Sequence, residues 1–135
     1  MFTNFQFFYM ARVQFTNEYI FRASPTILYQ FLTTPACLIR WFCDEVDINT
    51  DTYSFFWSGA EEVAELVTDV EGELLRFKWE DADDENEYLE FKITRSPVTG
   101  ETILEVTDHA DDDEVDDQKA LWDSQIEKLR TETGG

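Results

Sequence analysis

The stretch EVDDQKALWDSQIEKLRT, Glu114 to Thr131, decides the fold. At a helical step of roughly 100° per residue, Trp122, Ile126 and Leu129 fall within about 60° of one another around Val115, with Leu121 on the flank. The opposite side carries Asp116, Asp117, Asp123, Glu127 and Lys128. That pattern predicts a long amphipathic helix with one narrow apolar stripe and a large aromatic at its centre. Most of the chain before it, from Arg12 to Ala110, alternates with period two, so the helix is expected to lie in the concavity of a twisted sheet. The fold class is α+β.

Upstream, Arg12 to Arg22 alternates through Val13, Phe15, Tyr19 and Phe21, a first strand with a bulge expected near Asn17. Ser24-Pro25 supplies an N-cap followed by proline at the first helical position. Ile27, Leu28, Phe31 and Leu32 give that helix an apolar face; Thr34-Pro35 breaks it and opens a second, with Leu38, Ile39, Trp41 and Phe42. Six short strands follow. Their markers are Val46 and Ile48; Tyr53, Phe55 and Trp57; Ala64 and Leu66; Leu75, Phe77 and Trp79; Leu89, Phe91 and Ile93; and Leu104 and Val106. Turn residues separate them at Asn49 to Asp51, Ser58-Gly59, Glu71-Gly72 and Pro97 to Gly100. Arg76, Lys78 and Lys92 fall on the outer parity, where they offset acids on neighbouring strands. No repeat or linker divides the chain, so one domain over 12–135 is expected, preceded by an extension over 1–11.

At 135 residues, with 43% hydrophobic and 16% aromatic side chains, the chain can bury a proper core and does not read as disordered. Thirty acids against ten bases give a net charge of −20, which repels nucleic acid and anionic membranes. Such a surface suits solubility, high salt or a basic partner. No stretch reaches transmembrane length and no leader pattern opens the chain, so a cytoplasmic location without stable membrane insertion is expected. Phe2, Phe5, Phe7, Phe8 and Tyr9 read either as a dispensable extension ahead of Met10 or as an arm docking on a neighbour, most simply across a homodimer.

The order of elements, with Ala23, Pro25, Phe31, Leu32, Thr33, Pro35, Leu38 and Trp41 across the two short helices and Trp122 on the last one, resembles the START-like (SRPBCC) superfamily. Within it the likeness is to the activator-of-heat-shock-90-ATPase type. The glycine usual there before the third strand is replaced by Thr50 or Asp51. The resemblance implies a helix-grip fold, β-α-α-β6-α, in which a curved antiparallel sheet of seven strands wraps around a long C-terminal helix. It also implies an elongated cavity between sheet and helix for a hydrophobic small molecule or lipid. Its expected lining is Phe55, Trp57, Leu66, Phe77, Trp79, Phe91, Val106, Asp108 and Trp122. Periodicity alone does not separate such a cavity from a filled core.

Two other functions stay open. One is a protein-interaction or co-chaperone-like module acting through the acidic surface or homodimerisation. The other is a cyclase- or hydrolase-type enzyme using Asp108, inward by parity with Leu104 and Val106, and His109 beside it. No cofactor and no metal are expected. Cys37, Cys43 and His109 match no zinc spacing. The acidic runs at 81–85 and 111–114 lack the glycine and final glutamate of a calcium loop. Cys37 reads as a small buried hydrophobe rather than a nucleophile.

Overall fold

The computed structural model describes residues 11–82 and 84–135. The expectation for the aromatic segment ahead of Met10 lies outside the described residues. Seven strands form one antiparallel sheet: β1 (Arg12–Phe21), β2 (Glu45–Asn49), β3 (Thr52–Trp57), β4 (Ala60–Val70), β5 (Leu74–Trp79), β6 (Leu89–Arg95) and β7 (Thr102–Asp111). Helices α1 (Pro25–Thr33) and α2 (Pro35–Leu38) connect β1 to β2, and α3 (Val115–Glu132) follows β7. The spatial order is β1-β7-β6-β5-β4-β3-β2. Strands β2 to β7 are therefore a simple meander, and β1 closes on the last strand rather than the second. This is the helix-grip arrangement.

The local chemistry matches the element ends. The Ser24 side chain accepts the Ile27 N–H, and Pro25 occupies the first turn of α1. Thr34 is extended ahead of Pro35, which separates α1 from α2. On α3, Trp122, Ile126 and Leu129 are buried. They meet Phe15, Phe21, Leu104 and Val106 of β1 and β7 within one continuous core. Asn17 and Tyr19 fasten the same helix by polar contact: Asn17 Nδ2 donates to Tyr19 Oη at 2.8 Å, and Tyr19 donates to Asp123 Oδ1 at 2.7 Å. On the outer face Arg76 pairs with Glu90 at 2.6 Å, and Lys78 and Lys92 stand opposite Glu65 and Glu105.

Three local details differ from the sequence reading. The β1–β7 register runs unbroken from Arg12↔Asp111 to Phe21↔Thr102, so β1 has no bulge at Asn17. Asn17 keeps the inward parity because its amide has a partner there. The irregularity sits instead in β4 between Leu66 and Thr68 and leaves Val67 exposed. Helix α2 is only four residues long, and Ile39, read as part of its apolar face, is 49% exposed. The chain tightens after it, with the N–H groups of Trp41, Phe42 and Cys43 all donating to the Leu38 carbonyl.

The β2–β3 hairpin turns through Thr50 and Asp51, and Thr50 sits at φ 59°. A β-branched residue is strained in that region. Replacing it with glycine relieves the strain but frees the unfolded chain, so Thr50→Gly is expected to stabilise by about 0.5–1 kcal/mol net. Denaturant midpoints measure this; an unchanged or lower midpoint would show that Thr50 is held there at no cost.

Candidate functional site

The strand ends leave a groove between α3 and the inner face of the sheet. Trp57 ends β3, Trp79 ends β5, Glu62 lies near the start of β4 and Asp108 near the end of β7. Facing them are Gln118, Leu121, Trp122 and Gln125, which share one side of α3 by their three- and four-residue spacing. Phe42 completes the wall. This lobe encloses about 460 Å³. A second, polar lobe of about 280 Å³ shares Glu62, Trp79, Asp108 and Gln118 with the first and adds Arg12, Glu87, Tyr88, His109, Ala110 and Glu114.

Aromatic rings build the first lobe. The Phe42 ring lies 5.3 Å from Trp57 and 6.1 Å from Trp122, and Trp57 lies 6.4 Å from Trp79. Each indole but one is pinned. Trp57 donates its ring N–H to the Phe42 carbonyl at 2.7 Å, Trp122 to Asp108 Oδ2 at 3.0 Å, and Trp41, outside the groove, to the Phe31 carbonyl at 2.9 Å. Among the described residues, the Trp79 ring N–H has no partner. The ring is half-buried at the junction of both lobes.

Asp108 is the carboxylate set deepest here. Its Oδ1 accepts the His109 backbone N–H at 2.8 Å while Oδ2 accepts from Trp122. Burial pushes its carboxyl above the ordinary carboxylate range, and those two N–H groups, which favour the charged form, work against that. An acid whose folded pKa is raised contributes stability below its unfolded pKa, and that contribution is lost as pH rises through the folded pKa. A ¹³C titration of Asp108 should therefore fall above the ordinary range. Trp122→Phe should move it higher still, by removing one hydrogen bond to the charged form. A midpoint at or below the ordinary range would mean that Asp108 is well hydrated.

In the polar lobe Arg12 is fully engaged. Its Nε and Nη2 meet Glu87 at 2.9 and 2.7 Å, and Nη1 meets Asp111 at 3.1 Å. The hydrogen bond from Arg12 holds the Glu87 carboxyl below its usual range. His109 does not face Asp108 as an acid–base partner would: its Nδ1 lies 3.0 Å from the Tyr88 carbonyl. Burial pushes the Cys43 thiol up to about 11, so it is not a nucleophile at neutral pH. Asp111, Asp113 and Glu114 bring carboxylate oxygens within 4.8 Å of one another on the surface, an arrangement common without a metal.

Of the nine residues expected to line a cavity, Trp57, Trp79, Asp108 and Trp122 do border the groove. Phe55, Leu66, Phe77, Phe91 and Val106 are buried behind it. Phe55, Phe77 and Phe91 pack with Leu32, Leu38, Trp41, Phe42 and Leu89 around a residual space of about 10 Å³, so the inner end is filled. Phe42, Glu62, Gln118, Leu121 and Gln125 were not among the nine. For Glu62 a signal was present, since it shares strand parity with the inward Ala64 and Leu66.

A model of the START-like superfamily domain matches residues 9–135. Comparison with curated proteins returned no match. Among solved structures, BfR322 from Bacteroides fragilis is 37% identical, with a TM-score of 0.66 over 93% of this chain and 94% of that one. The Aha1 dimer from Colwellia psychrerythraea is 16% identical, with a TM-score of 0.77 over 90% and 96% of the two chains. DynU16, from the dynemicin biosynthetic locus, is 18% identical with a TM-score of 0.74; the match covers 87% of this chain and 46% of that one. The last two share the fold. With the helix gripped by a seven-stranded sheet and the family model spanning nearly the whole length, the chain belongs to the START-like superfamily.

Proposed function

We propose that this START-like domain holds a hydrophobic small molecule or lipid in the groove between α3 and the sheet. The observation that carries the proposal is the half-open lobe of about 460 Å³ walled by Phe42, Trp57, Trp79, Leu121 and Trp122. Its size lies within the range of small-molecule sites. Leu121, 52% exposed at the rim, and the Trp79 ring N–H, which has no partner among the described residues, are features that packing alone does not require. Residues 12–135 are read as the binding domain and 1–11 as an extension. Two free thiols, Cys37 and Cys43, are in keeping with a reducing, cytoplasmic setting.

Native mass spectrometry of the purified protein against a denatured sample tests the proposal directly. A co-purified mass is expected, or else saturable binding of 1-naphthalenemethanol seen in the indole N–H signals by NMR. Trp79→Ala, which removes a half-buried ring of the groove wall packed on Phe55 and Trp57, is expected to weaken that binding by about tenfold while the cooperative melting transition is retained. A bare protein with indole signals unmoved by the probe would end this reading.

The recorded dimer of the Colwellia protein supports a second reading, in which the chain pairs with its own copy or acts as a co-chaperone-like module. The same native spectrum reports a doubled mass. A cyclase- or hydrolase-type activity is less well supported. It would need Asp108 and His109 to work together, and the Asp108 carboxylate bonds the His109 backbone instead of its ring.

A further inference from the structure

Resting on the reading of the groove as a binding site, we propose that its occupant is an organic ammonium ion on an aromatic or short alkyl body, and that anionic amphiphiles are refused. The deciding side chain is that of Glu62. Its inward parity on β4, opposite Phe55, sets it on the groove side, where it borders both lobes. Among the described residues, its carboxylate has neither an ion-pair nor a hydrogen-bond partner. Asp108 stands across the same space, hydrogen-bonded on each oxygen by one N–H. The ionisable groups bordering the aromatic lobe are these two acids.

The polar lobe does not reverse that sign. Glu87 and Glu114 add acids, and the guanidinium of Arg12 is consumed by Glu87 and Asp111. A fatty acid or other anion held in either lobe would have no free cation in its lining and would lose its hydration beside two carboxylates; Arg40 and Lys128 border a separate space beyond Phe42, Trp57 and Gln125. A cation gains in three ways. It can pair with Glu62, lie against the half-buried rings of Trp57 and Trp79, and be concentrated by the field of a chain carrying −20. Gln118 and Gln125 on α3 offer neutral acceptors for its remaining N–H groups.

Three probes with one naphthalene body separate charge from shape: 1-naphthylmethylammonium, 1-naphthalenemethanol and 1-naphthoate, titrated at about 0.15 M salt and followed by the indole N–H signals. The ammonium is expected to bind about tenfold or more tightly than the alcohol, and the carboxylate more weakly than either. Glu62→Gln should cut the ammonium-to-alcohol ratio by about threefold or more and leave the alcohol unchanged. Glu61→Gln removes the same charge from the outer face of β4 and should leave the ratio alone. Equal binding of ammonium and alcohol, or equal losses in the two variants, would overturn the assignment while the groove itself stood. Silence from all three probes up to about 10 mM would remove both.

Discussion

Trp122→Ala is expected to lower the unfolding free energy by about 3–5 kcal/mol. The ring is 5% exposed, stacks on Phe42 with an interplanar angle of 23°, and meets Phe91 nearly edge-on at 5.8 Å. Truncation leaves a cavity at the middle of α3, where Ile126 and Leu129 also seat the helix. It removes the Asp108 partner as well, leaving a largely buried carboxylate with one fewer N–H donor. Because the same ring walls the groove, probe binding should vanish with stability. A melting temperature unmoved by the substitution would mean that α3 does not dock on the sheet through this residue.

The second large effect is expected at Trp41, which tests the fold away from the groove. Trp41→Ala should cost about 3–5 kcal/mol, since the side chain is 4% exposed and packs on Phe42 and Phe91. Part of that cost is chemical rather than volumetric. The Phe31 carbonyl, at the end of α1, is buried and takes the Trp41 ring N–H. Trp41→Phe keeps most of the packing and strands that acceptor, so it should cost about 1–3 kcal/mol. Chemical denaturation of both variants gives the split, and probe affinity in Trp41→Phe should match wild type. A phenylalanine variant as stable as wild type would show that the carbonyl finds another donor.

The sequence carried the architecture well, for local reasons. Ser24-Pro25 and Thr34-Pro35 have few conformational options, and the period-two runs from Tyr53 to Val106 assign a face to each side chain. The stripe of Trp122, Ile126 and Leu129 then names the partner of that face. Depth along a strand is another matter. Phe55 and Trp57 share one parity, yet Phe55 is buried in the core while Trp57 borders the groove. Parity fixes the side of the sheet, while sheet curvature and the crossing of α3 fix how far each residue lies from solvent. Glu62 escaped for the same reason: its parity with Ala64 and Leu66 marks the inner side of β4, but not that a carboxylate at that end of the strand borders the groove. The bulge was misplaced because Asn17 looked out of pattern, although it is a polar residue satisfied on the inner face by Tyr19 and α3.

The closure of the first strand on the last has a consequence during synthesis. Thr16 meets Thr107, 91 residues later, while every other neighbouring pair in the sheet is also adjacent in sequence. At a translation rate of about 5–20 residues per second, β1 waits roughly 5–20 seconds beyond its own synthesis for the strand that will cover its edge. Its inward row of Phe15, Tyr19 and Phe21 has no helix to cover it either until α3 has followed β7. The nascent chain therefore emerges with an aromatic strand that its own later half must bury.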